Sequence, residues 1–488
     1  MKPLDQGLGE NIAKGLIFGG TSRPFLCMLV SMTRRQFKRQ REKDRRWLFT
    51  TRVRKHLNAD ALNGAVRKTF EQVPEVGNGD YEIPLTDCLT SGYAMFALKD
   101  PSVLAFDRRR IAEPHNLKTI FGIERAPCDT QMRTRLDPVE PGSLRPAYNE
   151  AFRRAQRGKL LEDMVFLEGY HLVSGDGTTY FVSEKLSSPA CLKKVCPKTG
   201  KITYSLQTYA AVIVHPDRKE VIPLPPEPIF KHDGDNKNDC ERNACRRWLE
   251  KFRKDHPHLK VIITEDGLSP NAPHIRDLIK HRCRFILGLK EGDHAFLSAC
   301  LDAAVEKGEA TEHDIQDPKN PKIHHFFRFV NRVPINASNQ DLLVNVLEYW
   351  EEGPNGTQHF CWVTDFTITT ENAYSIMRGG RARWKVENET FNTLKNQGYH
   401  CEHNFGLGEK NLSLIFLMLM FLAFLTDQVQ QLACPLFQAA WKVSGPKREL
   451  WENIRSIFRY VPLDSMEMLY RVIIAGPQNL RPLFVDDT

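Results

Sequence analysis

The chain lacks any CxxC pair. Its twelve cysteines are scattered over 488 residues, the closest being Cys191 with Cys196 and Cys240 with Cys245. Dispersed thiols in a large chain argue against a disulfide framework and for a reducing compartment. No secretory leader is visible, because the short apolar stretch at residues 24–30 runs into strongly basic sequence. No apolar run reaches the roughly 20 residues of a membrane span. The most apolar segment, residues 412–425, is interrupted only by Ser413 and reads as a buried helix. A strong net charge is also missing, the formal value being +8.

What is present sets a different frame. An apolar content of 41% supports real cores and excludes wholesale disorder. The length requires two to four domains. Charge is concentrated locally: residues 31–70 hold thirteen Lys or Arg against three acids, Glu42, Asp44 and Asp60. Such a run is either a solvated helix face or a phosphate-neutralising surface.

Residues 34–72 read as Arg- and Lys-rich helix, 73–82 as a breaker segment and 84–165 as mostly helical. Within the last, Asp129 can cap a helix carrying the apolar pair Met132 and Leu136, with Arg133 and Arg135 projecting from its other faces. A helix-turn-helix contact with DNA through these arginines is the resulting expectation. Strands are expected at 166–174, 178–182, 203–215, 220–224, 259–264 and 285–289, with helices at 238–254 and 274–281. Residues 290–370 hold strand-like pieces at 326–333, 342–349 and 359–365. Helices resume at 371–397 and 410–432. The last 50 residues look helical and polar.

Three acids stand out. Asp176 lies in Val173-Ser-Gly-Asp-Gly-Thr-Thr-Tyr180, and Asp266 ends Val261-Ile-Ile-Thr-Glu-Asp-Gly267. Glu387 lies in a helix-like run from Arg383 to Lys395. Each aspartate follows an apolar strand and precedes Gly, so each could equally be a turn residue. Jointly, two carboxylates at the ends of adjacent parallel strands can share a cation. Mg²⁺ binds through a few carboxylates plus phosphate, and two metals about 4 Å apart can serve a phosphodiester. On an ideal helix Arg383 and Phe391 are four residues from Glu387, and Trp384, Val386, Phe391 and Leu394 can anchor the helix on the sheet.

The run Arg-x-Arg-Trp-x-Val-Glu-Asn-x-x-Phe-Asn-x-Leu-Lys (381–395), with Gly398-Tyr-His-Cys-Glu-His-Asn-Phe-Gly406, resembles the DDE-class insertion-sequence transposases. The similar members have a β insertion before the last acid and a Tyr-x2-Arg-x3-Glu-x6-Lys motif. The resemblance covers residues 165–430, more weakly 84–165. The acids are separated by 90 and 121 residues, the longer gap holding the insertion.

The resemblance implies a ribonuclease-H-like mixed α/β sheet, in which the first and fourth strands lie side by side, preceded by a helical N-terminal region. It divides the chain into a basic N-terminal region (1–83), a helical DNA-binding region (84–165), a first part of the catalytic core (166–290), a β insertion (291–370), a second part of the core (371–432) and a helical tail (433–488). It makes Asp176, Asp266 and Glu387 the catalytic, metal-binding triad for two Mg²⁺ ions, with Mn²⁺ as substitute, and Arg383 the motif arginine. Two positions depart from the pattern. Gly380 stands where Tyr is expected, the nearest Tyr being Tyr374. Leu394 stands where Lys is expected, with Lys395 one step on. Arg381 or Arg378 could supply a missing phosphate contact. The implied partners are double-stranded DNA, as element ends and target, and further copies of the chain, with no membrane. The implied setting is the nucleoid-associated cytoplasm of a prokaryotic cell.

Three functions remain open on the sequence: a transposase, a ribonuclease-H-like nuclease without strand transfer, and a DNA-binding derivative with a dead site. Lesser candidates are zinc at Cys191 and Cys196, a calcium loop at Asp233, Asp235 and Asp239 weakened by Lys237, and an extra acid at Glu241, which reads better as a surface cap. His324 and His325 read as strand positions, and Trp248, Trp350 and Trp362 as core.

Overall fold

The computed structural model describes residues 51–476 except 78, 80, 230–240, 268, 291–294, 319 and 355, together with 43, 47, 48 and 50. Residues 1–30, most of the basic run before residue 51 and the three aspartates at 233, 235 and 239 lie outside the described residues. The chain divides into two compact units, Met1–Arg52 and Val53–Thr488.

The second unit opens with helices. α1 (Ala59–Phe70) starts at Asn58, whose side chain accepts from the Ala61 N–H at 2.8 Å. Leu62, Val66 and Phe70, spaced by four, form its buried face. Residues 51–58 are not helical, so the single helix expected over 34–72 fails there. α2 (Leu85–Ala97) is buried nearly all round, and α3 (Val103–Ala112), α4 (Pro114–Phe121), α5 (Asp129–Leu136) and α6 (Arg145–Arg157) complete the helical part.

Among the described residues eleven strands form one mixed sheet. They are β1 (His171–Ser183), β2 (Leu192–Val195), β3 (Ile202–Val214), β4 (Ile222–Pro223), β5 (Glu227–Ile229), β6 (Val261–Glu265), β7 (Arg284–Leu289), β8 (Thr311–Gln316), β9 (His324–Pro334), β10 (Leu343–Gly353) and β11 (Gly356–Thr364). Their order is β2-β3-β1-β6-β7-β11-β10-β9-β8, with β4 and β5 on β3. β1 runs antiparallel to β3 but parallel to β6, and β6 parallel to β7. Residues 311–364 therefore prolong this sheet through the β7–β11 pairing. β2, β8 and the helix α9 (Ala295–Glu306) carried too little periodicity to be foreseen.

Two helical layers cover the middle of the sheet. α7 (Glu241–Asp255) packs on β1, β3 and β5, and α8 (Ala272–Lys280) packs on α7 and β7. On the opposite face lies α10 (Ala373–Arg381), against β6, β7 and β10. Gly379 and Gly380 allow this close approach. A Cβ at Gly379 would meet Ile286 at 2.8 Å, and one at Gly380 would meet the Trp362 indole nitrogen at 2.2 Å. A tyrosine has no room at 380, which explains the first departure from the motif.

α12 (Leu412–Ala433) is the core helix joining both parts. Among the described residues it alone is long and apolar enough to cross a bilayer, yet it is buried within the fold. It packs on α2, α6, β4 and α13 (Pro435–Ser444). Its buried Asp427 is held by Lys99 Nζ at 2.7 Å and by the Tyr399 hydroxyl at 2.5 Å. The Lys99 ammonium also sits over the Tyr399 and Trp451 rings. α14 (Lys447–Tyr460) and α15 (Met466–Ala475) close the described chain. The tail is helical as expected, but α15 buries Leu469, Tyr470, Val472 and Ile473, so it is not simply polar.

Candidate active site

β1 carries Asp176 inside the strand, not in a turn. Asp176 pairs with Ala210 and Gly177 with Tyr209 of β3. The parallel pairing of β1 with β6 ends at Ser174 and Thr264, two residues before the acids. The register offset there is the same 90 residues that separate Asp176 from Asp266. β6 itself ends at Glu265, so Asp266 is the first residue beyond that strand.

The glycines flanking Asp176 do not supply turn geometry. They leave space on the other face of the strand. A Cβ at Gly175 would meet the Tyr209 hydroxyl at 1.8 Å, and one at Gly177 would meet Glu241 Oε1 at 2.0 Å. Successive strand residues point to opposite faces, so Ser174 and Asp176 share the face that α10 covers. Ser174 Oγ donates to the Arg383 carbonyl at 2.7 Å. This bond fastens the segment after α10 to the strand bearing Asp176.

That segment is not the regular helix expected over 371–397. A 3₁₀ turn (Ala382–Trp384) follows α10, then a π turn (Val386–Phe391) and the short α11 (Asn392–Asn396). Angular positions at about 100° per residue therefore do not hold through it; single π turns often occur at functional sites. Val386, Phe391 and Leu394 are buried as anchors, but Trp384 is 49% exposed and lies under the Arg383 guanidinium at 4.1 Å. Leu394 belongs to the core, which accounts for the second departure from the motif.

Glu387 is the second residue of the π turn, which packs on β1 and β3. Its side chain is exposed, yet its charge reaches Asp176. Burial raises the Asp176 carboxyl most; Arg383 and the Gly177 N–H pull it back. The charges of Asp266 and Glu387 then add to the rise, leaving it at about 6. Arg383 Nη1 stands 3.5 Å from Asp176 Oδ2, and the Gly177 N–H donates to Asp176 Oδ1 at 2.8 Å. The charges of the other two acids chosen from the sequence thus bear on Asp176, with Arg383 beside it.

The remaining basic candidates are engaged elsewhere. Lys395 pairs with Glu402 at 3.0 Å and Arg378 with Asp217 at 2.6 Å, while Arg381 pairs with Glu351. Arg133 binds Asp129 and the Phe405 carbonyl. Arg135 is buried against Glu75 and the Tyr81 ring, so it does not project from α5 as expected. Asp129 is the first residue of α5, and Cys128 occupies the cap position.

Glu241, read from the sequence as a surface cap or an extra acid, is the exposed first residue of α7 and also stands beside Gly177. Partial desolvation and the charges of Asp176, Asp266 and Glu265 raise its carboxyl to about 7, although part of the side chain stays open to solvent. A cavity of ≈ 490 Å³ is lined by Asp176, Glu241, Cys245, Glu265, Asp266 and His274, among others. A slightly larger cavity, ≈ 540 Å³, lies between Tyr180, Ile229, Lys251 and Met418, away from these acids.

Glu265, His274, Tyr209 and Cys245 were not singled out from the sequence. Glu265 is buried, accepts from the Tyr209 hydroxyl at 2.6 Å and faces His274 Nε2 at 2.7 Å. Burial alone would raise its carboxyl, but His274, Tyr209 and Ser269 hold it at about 2. Burial would lower His274, and the Glu265 charge more than reverses this. The usable signal was the Glu-Asp pair closing an apolar strand: neighbouring residues face opposite ways, so the two acids had to enter different faces of the sheet. His325 is a strand residue as expected, bonded to the Tyr349 hydroxyl at 2.6 Å. Cys191 and Cys196 are free thiols and belong to no metal-ligating group among the described residues.

No protein-family model matches the chain, and no curated protein matches it significantly. Among solved structures, a piggyBac transposase in a synaptic complex with hairpin DNA is 9% identical, with a TM-score of 0.36, over 89% of this chain and 85% of that one. At that level of similarity neither fold nor function transfers.

Proposed function

We propose that the chain is a DDE-class transposase that cuts DNA strands and joins them to target DNA with divalent cations. The observation that supports this reading is the placement of Asp176 on a strand, Asp266 at the end of its parallel neighbour and Glu387 in a later π turn, with the charges of Asp266 and Glu387 both bearing on Asp176. The order β3-β1-β6-β7, with β1 parallel to β6, supports a ribonuclease-H-like core. The domain boundaries expected from the resemblance are proposed with it.

The donor set fits magnesium. Carboxylate oxygens are its preferred protein ligands; burial, with smaller contributions from the charges of Asp266 and Glu387, lifts Asp176 to about 6, and a bound cation would oppose that rise. Asp176, Asp266 and Glu387 would hold two Mg²⁺ ions, with Mn²⁺ as substitute. Bound cations supply activation of the attacking oxygen and stabilisation of the leaving one. Arg383, beside Asp176, would orient a non-bridging phosphate oxygen. Ser174, through the Arg383 carbonyl, fixes where that guanidinium starts. In the first step a water oxygen bonds to phosphorus as the P–O3′ bond breaks, leaving a free 3′-hydroxyl. In the second that hydroxyl attacks a target phosphodiester. One P–O bond forms for each broken, so no further energy source is required. Double-stranded DNA is the substrate, and two ends handled together imply a multimer.

The test uses the full chain with DNA carrying the element's terminal sequence, Mn²⁺ or Mg²⁺, and a labelled target. Cleavage plus recombinant product is expected, with both lost in Asp176→Asn and Glu387→Gln. Cleavage without joining would indicate a nuclease. Full cleavage by Asp176→Asn would overturn the assignment.

A further inference from the structure

The side of the sheet away from Arg383 holds a second group of ligating atoms. Cys245 comes from α7, Glu265 from the end of β6 and His274 from α8. All three are buried, and their donor atoms lie within 4.8 Å of one another. Among the described residues no other group of this kind is formed.

The spacing suits one metal ion. Cys245 Sγ lies 3.3 Å from Glu265 Oε1. Tetrahedral zinc, with bonds of about 2.0–2.3 Å, sets neighbouring ligand atoms roughly 3.3–3.7 Å apart. His274 Nε2 stands 2.7 Å from Glu265 Oε2. The pair needs to open by about half an ångström to reach tetrahedral spacing.

We propose that Cys245, Glu265 and His274 form a site for a single zinc-class transition-metal ion, separate from the carboxylates Asp176, Asp266 and Glu387. A thiolate, an imidazole and a carboxylate together favour zinc over magnesium or calcium, whose ligands are oxygens. The Tyr209 hydroxyl on Glu265 Oε1 is the outer partner that orients a metal-binding carboxylate. The ≈ 490 Å³ cavity borders all three ligands, giving access and room for a water as fourth ligand. Such a metal would tie α7 and α8 to β6, one residue before Asp266, and so stiffen the strand end that carries the second acid.

Cobalt reports on this directly. The full-length chain, stripped by chelator and titrated with Co²⁺, is expected to show a thiolate-to-cobalt charge-transfer band and tetrahedral visible bands that saturate at a single equivalent. Cys245→Ser should abolish the charge-transfer band with unchanged circular dichroism, and His274→Gln should weaken the tetrahedral bands. Zinc content after expression in zinc-supplemented medium should follow the same order. Asp176→Asn should keep the cobalt spectrum, which separates this site from the DNA-cleaving one. Absence of the band in the wild type, its persistence in Cys245→Ser, or its loss in Asp176→Asn would overturn the proposal. If Cys245→Ser does not fold, zinc content and cobalt spectrum of His274→Gln decide: unchanged values overturn the site.

Discussion

Replacing Asp176 by Asn should stabilise the metal-free protein while removing its chemistry. The Asp176 carboxyl is raised from 3.8 to about 6. At about 1.4 kcal/mol per unit, a rise of roughly two units penalises the charged form by about 3 kcal/mol. The side chain is 22% exposed and the replacing amide is itself partly buried, so a gain of about 1–3 kcal/mol is expected. The pH dependence fixes the cause. A carboxyl that holds its proton more tightly in the folded state is penalised only once it ionises. The penalty is absent below about pH 4, grows as pH rises and is complete above about pH 6. The stability gap between Asp176→Asn and wild type should open across that window. Denaturant unfolding of both proteins in chelator, from pH 4 to pH 8, measures it. Adding Mn²⁺ should then stabilise wild type more than the variant, because a ligand that binds only the folded state adds to its stability. A gap that does not change with pH, or a variant less stable than wild type at pH 8, would refute the reasoning.

Two further substitutions probe the frame around the site. Gly380→Ala drives a Cβ to 2.2 Å from the Trp362 indole nitrogen; the rigid ring cannot swing aside, so a loss of about 1–3 kcal/mol is expected in denaturant unfolding. DNA cleavage should fall with it, because α10 leads directly into the turn of Arg383 and Glu387. Lys99→Ala leaves Asp427 buried beside Tyr399 without its cation and should destabilise by about 3–5 kcal/mol. The double variant Lys99→Met with Asp427→Leu should recover part of that loss, since apolar groups of similar size tolerate the same burial.

Most elements were legible in the sequence because their periodicity was strong. The β-branched run of 203–215 became β3, and the amphipathic pattern of 238–254 became α7. The apolar run from residue 412 became a core helix, extended by buried polar residues whose partners lie far along the chain. Weak elements failed for the same reason: β2 and β8 are short and exposed, so nothing in their pattern required a strand. The Gly-Asp-Gly of β1 misled because these dipeptides usually mark turns. Here the glycines make room for Tyr209 and Glu241, and only the packed neighbours reveal that. The segment after Arg381 misled because a π turn leaves no mark in helical periodicity.

The amino-acid sequence by itself determined the alternation of elements, the three acids and the spacing that matches one parallel register. These depend on local pattern and on residue chemistry. Tertiary structure alone decided which groups meet. It tied Arg383 to Asp176 and diverted Lys395, Arg378 and Arg381 into other ion pairs. It buried Arg135 and brought Glu241 to the acids. It also turned Glu265 to the far face, beside Cys245 and His274. Such meetings join residues tens to hundreds of positions apart through sheet pairing and helix packing, which no local pattern encodes.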